Sequence, residues 1–314
     1  MGASPWTATT RALFALMVVS WGANYLFVRV GLSYAAPLWL ATLRAGVGAM
    51  GMAAFLLARR SPVKLDSRAR RDALLLGVPN TAVFFGLWFA AARVVPAGQA
   101  AVVIYTFPVW VSLLSAPILH RRLSGLHWAA VALGLSGVVL VSEPWASGFS
   151  SAVSLALIEL AVAPVSWALA TVLFERRFRA EELAEVNVYQ LVGGASVLLA
   201  ASLLLEPTDL PTFTPTLWVT ILWLGLIGSA FAYAVWFLLL GKIGGPDLSA
   251  YLLLVPVTAL ALSAVFLGER LVPVQGVGVA AVLLSIYVVA KAARGSVVPR
   301  TPGRDVTGHR RPAP

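Results

Sequence analysis

The sequence of 314 residues contains no cysteine, and only 11% of its residues are charged. The absence of cysteine excludes disulfides, thiolate metal sites and cysteine nucleophiles. The histidines His120, His127 and His309 have no carboxylates clustered beside them, so neither a metal site nor a nucleophilic triad is predicted. No glycine-rich phosphate loop of the Walker type occurs, which argues against drive by ATP. We therefore predict a protein that is not an enzyme, with no catalytic residues, no metal and no cofactor.

Apolar residues make up 60% of the chain, and its mean hydropathy is +0.87. Soluble domains contain about 45–50% apolar and about 25% charged residues, so one soluble core cannot hide this apolar mass. The formal net charge of +10 would suggest nucleic acid in a soluble protein, but here the charges fall in short gaps between apolar runs. The composition therefore predicts an all-α integral membrane protein in contact with lipid, with no nucleic acid partner.

A helix that crosses the bilayer needs about 20 mainly apolar residues. Arg11 precedes the first such run, as in a secretory signal peptide. However, Trp21, Asn24 and Tyr25 interrupt the run and no small-residue cleavage site follows, so we interpret it as a membrane span. The ten predicted transmembrane helices are 11–31, 36–58, 73–92, 99–119, 125–142, 152–173, 187–205, 216–240, 249–267 and 273–290. The stretch 295–314 is rich in Pro, Gly and Arg and is predicted to be a disordered basic cytoplasmic tail.

The positive charges divide unequally between the two sides that these spans define. Of the 23 Lys and Arg residues, 19 lie on the side of the N-terminus, whereas Arg93 and Arg270 lie on the opposite side. The remaining two, Arg29 and Arg44, lie within spans. Loops rich in Lys and Arg stay in the cytoplasm, so we expect both termini to be cytoplasmic in a multi-pass protein of the cell membrane.

The two halves of the chain resemble each other at an offset of 148 residues. Trp88-Phe89 matches Trp236-Phe237, Pro108-Val109 matches Pro256-Val257, and Leu119, Arg122 and Leu123 match Leu267, Arg270 and Leu271. We therefore expect a first repeat over 11–142 and a second over 152–290. Each repeat has five spans, an odd number, so the second must be inverted in the membrane. Inverted repeats are typical of alternating-access carriers, with the site near the midplane between the repeats.

These residues are similar to those of the drug/metabolite transporter superfamily, in its ten-helix branch of two EamA-type repeats. The matching features are Trp21-Gly22-x-Asn24, Pro37 with Leu43-Arg44, Pro108, Pro256, and Leu267-Gly268-Glu269-Arg270-Leu271. In the first repeat Arg121 stands where the family usually has Glu. The resemblance covers roughly 11–290 and implies a transporter, often an exporter of amino acids or other metabolites.

Ionisable side chains inside a membrane cost about 2.5–3.5 kcal/mol at mid-span and are functional candidates by default. Arg44 in the second span and Glu159 in the sixth are predicted at similar depth and could approach each other. Arg44 could hold a substrate carboxylate, and Glu159 could titrate and couple transport to protons. The alternative is a structural Arg–Glu pair, or a Glu159 shallow enough to reach water. Arg29 lies near a span end, where snorkelling explains it.

Aromatic and small polar residues recur at helical spacing on several spans. The first carries Trp21, Asn24, Tyr25 and Val28 on one face. These faces either line a mildly polar aromatic cavity, suited to amphipathic solutes such as apolar or aromatic amino acids, or only pack helices together. The candidate substrate-binding residues are Asn24, Tyr25, Arg44, Asn80, Trp88, Tyr105, Glu159, Trp167, Tyr233 and Trp236.

Pro108 and Pro256 occupy equivalent mid-span positions, where each is expected to kink its helix. The paired kinks are candidate gates, or static bends that shape a cavity. Glycines in the fifth and tenth spans, at 134, 137, 276 and 278, permit either internal contact or a homodimer face. The sequence thus favours a secondary carrier that exports a small metabolite. The alternatives are a carrier-derived sensor or scaffold without flux and a membrane-embedded enzyme that acts on lipid.

Overall fold

We describe a computed structural model of the chain, which covers residues 7–59, 65–120, 125–142, 151–243, 252 and 254–295. Within these ranges all regular structure is helical. Arg121, and all but one residue of the predicted tail 295–314, lie outside the described residues. The α-helices are α1 (Ala8–Gly31), α2 (Pro37–Ala58), α3 (Ser67–Gly77), α4 (Phe84–Ala91), α5 (Ala97–Ile104), α6 (Phe107–Ile118), α7 (Gly125–Ser142), α8 (Ser151–Arg177), α9 (Leu183–Leu205), α10 (Pro215–Leu222), α11 (Ala232–Ile243), α12 (Leu254–Leu267) and α13 (Pro273–Gly295).

These helices form ten spans in the described part of the chain, which confirms the predicted all-α fold. Three spans contain two α-helices each: α3 and α4 form the third, α5 and α6 the fourth, and α10 and α11 the eighth. Seven spans contain at least 18 residues and are apolar enough to cross a membrane. The fifth, ninth and tenth contain shorter apolar stretches, Trp128–Val141, Leu254–Leu267 and Pro273–Val288. The bounds agree with the prediction to within a few residues, except that the third span already begins at Ser67.

Helix starts in this chain are encoded by side chains that accept hydrogen bonds from the first turn. Thr7, Asp66 and Thr214 cap α1, α3 and α10, and the Asp66 carboxylate accepts from the backbone N–H of Ala69 at 2.7 Å. Pro37 and Pro215 begin their helices, where a missing N–H costs nothing. Large apolar side chains such as Leu57, Leu204 and Val265 are more than 70% exposed, as expected of surfaces that contact lipid.

The third and eighth spans are not regular α-helices throughout. Residues Val78–Val83 and Trp223–Phe231 are π-helical and lie between the two α-helices of their spans. At the repeat offset of 148, the first segment corresponds to residues 226–231 of the second. Each repeat therefore carries the same irregularity at the same place. Such π-helical turns widen a helix locally and are frequent at functional sites.

The packing of the spans follows the two-fold relation that inverted repeats require. The first span packs against the ninth and the fourth against the sixth, while the second packs against the eighth and the third against the seventh. The second also packs against the seventh, and the fifth against the tenth. Exchanging each span for its counterpart in the other repeat reproduces the same set of pairs. The protein is therefore built as two inverted five-helix repeats with a shared interior.

Candidate functional site

The face predicted on the first span points into the interior between the repeats. Trp21, Asn24, Tyr25 and Val28 are all buried. The indole Nε1 of Trp21 donates a hydrogen bond to the backbone oxygen of Gly228 at 3.1 Å, and the Asn24 amide lies 3.5 Å from the same oxygen. A Cβ atom at position 228 would lie 2.0 Å from Asn24 Oδ1, so the approach of the first and eighth spans requires glycine there.

Arg44 of the second span is 4% exposed and lies beneath aromatic side chains of the third. Its guanidinium carbon is 4.1 Å from the centre of the Phe85 ring and 5.1 Å from that of Trp88. Phe89 adds a third ring at 5.7 Å. These ring faces attract the cation but offer no hydrogen-bond acceptor of carboxylate strength. Arg44 is the eighth residue of α2, about 10 Å below the helix start at a rise of 1.5 Å per residue.

Three tyrosines from different spans surround Arg44. Tyr25, Tyr105 and Tyr233 lie near its guanidinium. The Tyr25 ring lies 4.7 Å from that of Trp88, and the Tyr233 ring lies 5.7 Å from that of Trp21. The residues brought together here form what we call the central site: Trp21, Asn24, Tyr25, Arg44, Trp88, Tyr105 and Tyr233. They come from both repeats, so the site lies between them.

Two further candidates contact aromatic residues of the central site. Trp236 lies 5.9 Å from Trp21, between ring centres. Trp167 of the sixth span stacks on Phe107 at 3.9 Å and meets Tyr105 edge-on at 6.3 Å. The ring contacts join the predicted aromatic residues into two groups: Trp21 with Tyr233 and Trp236, and Tyr25, Trp88, Trp167 and Tyr105, which are linked through Phe84.

Several buried polar atoms of the central site have no hydrogen-bond partner. They are Asn24 Oδ1, Arg44 Nε and Nη1, and Trp88 Nε1. In the described part of the chain, five other buried atoms without a partner belong to residues outside the central site, namely Thr81, Ser115, Asn187, Thr220 and Trp223. An unsatisfied buried polar atom typically costs about 1–3 kcal/mol, so native proteins contain few of them. Arg44 Nε and Nη1 and Trp88 Nε1 lie together, so three buried donors without an acceptor meet at one place.

The structure does not bring Glu159 to Arg44. Within the described residues no carboxylate forms an ion pair with Arg44. Glu159 is half-buried in a separate open cleft of about 520 Å³, which Arg93 and Glu206 also line. The two residues were predicted at similar depth, but they face different directions around their helix axes. Asn80 is half-buried in the π-helical part of the third span, next to the buried Thr81.

The two prolines have different surroundings. The fourth span is interrupted at Tyr105 and Thr106, and α6 begins at Phe107, just before Pro108, so the predicted continuous helix 99–119 is two helices. The cause is the missing N–H of Pro108, which cannot continue the hydrogen-bond ladder of α5. Pro256 lies in the first turn of the described part of the ninth span and is buried.

Charged side chains join helix ends on the side of the membrane opposite the N-terminus. Glu269, after α12, accepts hydrogen bonds from the N–H groups of Ala97 and Gly98 at 2.8 and 3.0 Å. Glu206, after α9, accepts from the N–H groups at the start of α2. Arg29 donates to the carbonyl oxygens of residues 92 and 93 at 2.8 Å, so it is bonded and does not merely snorkel. Each charge complements the dipole of the helix end that it meets. We call these three contacts the closed end.

Sequence reasoning missed several residues that shape the site. Gly228 has no sequence signal that distinguishes it from other glycines, because its role depends on which helix lies opposite. Phe89 could have been found, since it follows Phe85 by one turn. Glu269 was recognised as part of a motif, but its position at the N-terminus of α5 was not predicted.

Comparisons with known proteins agree with this architecture. A model of the EamA-like transporter family matches residues 10–143 and 154–291. The chain is 31% identical over 288 residues to a probable amino-acid metabolite efflux pump of Salmonella typhimurium (strain LT2), covering 88% of this chain and 93% of that one. A protein of Escherichia coli (strain K12) with the same description is 28% identical over the same shares of the two chains. A solved crystal structure with 20% identity aligns with a TM-score of 0.64 over 91% of this chain and 99% of that chain, which supports the fold alone.

Proposed function

The chain belongs to the EamA-like transporter family and is an integral membrane transporter, and we propose that it exports a small amphipathic metabolite by alternating access. The observation that carries this proposal is the set of unsatisfied polar atoms in the central site. These atoms lie between two inverted repeats, where alternating-access carriers bind their substrates. The protein is a secondary transporter in this proposal, since no ATP-binding motif occurs in its sequence.

The chemistry of the central site suggests the substrate class. Aromatic rings supply an apolar surface, Arg44 a cation, and Asn24 an amide that can donate and accept. Such a site suits apolar or aromatic amino acids and other amphipathic solutes of similar size. Two relatives described as probable amino-acid metabolite efflux pumps support this choice of substrates and the direction of export.

The proposed placement of the protein is the plasma membrane, with both termini in the cytoplasm. The support is the unequal distribution of Lys and Arg between the two sides. On this placement the closed end faces outward, and the repeats extend over 11–142 and 152–290. A Cβ atom built at Gly137 would lie 2.8 Å from the Gly278 oxygen, and one at Gly278 would lie 2.7 Å from the Gly137 oxygen, so these two glycines pack the fifth span against the tenth.

A separate hypothesis is that Glu159 couples transport to protons. It lies at membrane depth on the sixth span and no hydrogen bond or ion pair to it occurs among the described residues. Because it lies outside the central site, it would sense protons in the outward-facing cleft. A Glu159→Gln variant that exchanges substrate normally but loses accumulation driven by a pH gradient would support this role. Unchanged accumulation would exclude it.

Counterflow in proteoliposomes tests the proposed function. Vesicles containing the purified protein are preloaded with a mixed pool of amino acids and related metabolites, and the uptake of labelled solute is measured. Saturable exchange in the wild type, lost in Asn24→Ala, is the expected result. Ser136→Ala serves as the control, because its exposed hydroxyl bonds only to its own helix at Ala132. Ligand binding without exchange would favour a sensor, and turnover of a lipid would favour a membrane enzyme.

A further inference from the structure

We infer that the central site takes amphipathic monocarboxylates, with the substrate carboxylate on Arg44, and that each export step carries one net negative charge. This inference rests on the proposed function, and it specifies the charge class of the substrate within it. A zwitterionic amino acid, a neutral solute and an organic cation are the competing ligands.

Arg44 is the sole charged side chain among the residues that form the central site. An isolated buried cation is costly, and proteins normally pair it with a carboxylate. Among the described residues, the carboxylates on the spans and at their outer ends lie elsewhere. Glu206 and Glu269 cap helices at the closed end, while Glu159 faces the separate cleft. In this proposal a ligand supplies the charge that Arg44 lacks among the described residues.

The unsatisfied hydrogen-bond donors of the central site favour an anionic ligand, as the charge of Arg44 does. Two nitrogens of Arg44 and the indole nitrogen of Trp88 are donors without an acceptor, and all of them lie within one aromatic group. A carboxylate has two oxygens that accept several hydrogen bonds and form strong charge-assisted bonds with a guanidinium. The rings of Phe85, Trp88 and Phe89 cover Arg44 in this conformation, so the ligand reaches it when these rings move apart.

Net charge discriminates between the competing ligands. A monocarboxylate brings the buried site to neutrality, whereas a dianion leaves one negative charge without a partner. A zwitterion also satisfies Arg44, but its ammonium group finds no carboxylate among the central-site residues. It can use only the Asn24 oxygen and the aromatic faces. An organic cation places a second positive charge beside Arg44. The expected preference therefore runs from monocarboxylate through zwitterion to cation.

The same charge supplies a driving force. The empty site carries one positive charge and the loaded site carries none, so a complete cycle moves one negative charge outward. The membrane potential of a living cell is negative inside and favours this direction. A potential of 100 mV acting on one charge corresponds to 2.3 kcal/mol, which is a concentration ratio of about 50-fold. Export of a monoanion therefore needs neither ATP nor a proton site in the central cavity.

Four solutes that share one phenyl ring and differ in charge test the preference. They are 3-phenylpropionate, L-phenylalanine, 3-phenylpropionamide and phenethylamine. Binding to the purified protein is measured by titration calorimetry, and each solute competes in counterflow against labelled 3-phenylpropionate. We expect 3-phenylpropionate to bind at least tenfold more tightly than the amide, with phenylalanine between them and the amine weakest. Equal or tighter binding of phenylalanine or the amine would overturn the inference.

Arg44 variants and an imposed potential complete the test. Arg44→Met should abolish the preference for the carboxylate, Arg44→Lys should retain part of it, and Arg93→Met, which removes an exposed charge, should leave it intact. A valinomycin-imposed potassium potential of 100 mV, negative inside, should enrich 3-phenylpropionate about 50-fold outside. Flux that ignores the potential would overturn the charge assignment. If Arg44→Met fails to fold, the wild-type solute series and Arg44→Lys still decide.

The two proposals fail in different ways. Absence of exchange for every solute, with 3-phenylpropionate bound in preference to the amide, would contradict the carrier function and leave the ligand class supported. Exchange that is robust but equal for all four solutes would support the carrier and contradict the ligand class.

Discussion

At the scale of single residues, Glu269 joins two spans from different repeats through a charge at a helix start. Its carboxylate accepts from the N–H groups of Ala97 and Gly98, the first residues of α5. A negative charge at this position stabilises a helix start by about 0.3–1 kcal/mol, and the hydrogen bonds hold the ninth span against the fourth. Losing the charge should therefore loosen the closed end without unfolding the protein.

We predict that Glu269→Gln increases the access of water-soluble reagents to the interior from the outer side. Because the chain has no cysteine, a single Ala101→Cys, fully buried one turn below Gly98, reports this access. Its labelling by a membrane-impermeant maleimide should rise about fivefold, which corresponds to about 1 kcal/mol. Arg270→Gln alters the exposed neighbour and should change labelling little. Equal labelling in all three backgrounds would show that Glu269 does not hold this end shut.

Single glycines also allow the backbones of neighbouring spans to pack closely. A Cβ at Gly77 would lie 2.2 Å from the carbonyl oxygen of Gln190 and 2.6 Å from the nitrogen of Gly194, so the third and seventh spans would have to separate. We predict that Gly77→Ala destabilises the protein by about 1–3 kcal/mol. A thermal melt monitored by size-exclusion chromatography measures the loss. Gly46→Ala is the matched control, because no atom lies within 4 Å of its Cβ. Similar melting of the two variants would contradict the packing.

The sequence predicts which residues are candidates, but not all of their neighbours. Asn24, Tyr25 and Arg44 were identifiable because polar side chains are costly in a membrane and the helical period placed two of them on one face. The expectation that Arg44 and Glu159 approach each other rested only on their similar depth in the membrane. Depth follows from the helical rise per residue. Direction around the helix axis depends on how the neighbouring spans are rotated, and one sequence does not contain that information.

At the scale of elements, the break in the fourth span separates two helices with different contacts. The hydroxyl of Thr106 donates to the Val103 oxygen at 2.6 Å, and Val109 N–H donates to the Thr106 oxygen at 2.9 Å, so the break has its own hydrogen bonds. α5 packs against the ninth span, whereas α6 packs against the sixth. Both partner spans belong to the second repeat, and we propose that a hinge at this point lets α5 move with the ninth span and α6 with the sixth.

We predict that Pro108→Ala slows exchange about tenfold, the effect of about 1.4 kcal/mol on a barrier, because the restored N–H favours one continuous helix. Binding of substrate should change little, and thermal stability should not fall. Counterflow rates and titration calorimetry separate the two quantities. Pro117→Ala changes an exposed proline later in the same helix and serves as the control. An unaltered rate in Pro108→Ala would make the break a static feature of the cavity.

The elements themselves were largely predictable, since a run of about 20 apolar residues permits little besides a helix in lipid. The two π-helical segments were not. A π-turn shifts the hydrogen-bond partner by one residue and leaves the hydrophobic pattern of a short stretch almost unchanged. Pro79 lies in the first segment, yet the second has no proline, so residue type alone does not mark the position.

At the scale of the whole molecule, the two repeats share a large part of their interior. The first span packs against the ninth and the fourth against the sixth, so each repeat completes its partner. The repeat was visible in the sequence from the paired prolines and tryptophans, and the odd number of spans implied inversion. Which spans pair could not be derived, because the apolar faces of membrane helices carry little partner-specific signal.

We predict that the two halves of the chain, 1–147 and 148–314, assemble when expressed together and are degraded when expressed separately. A single repeat would expose to lipid the buried polar groups Asn24, Arg44 and Thr81, or Ser229 and Ser263 of the second repeat. Each such group costs free energy in hydrocarbon unless the other half covers it. Membrane abundance of tagged halves, alone and together, measures the dependence, and counterflow of the co-expressed pair measures function. If one half persisted alone at the level of the pair, the shared interior would not be what stabilises the fold, and the central site could not depend on both repeats.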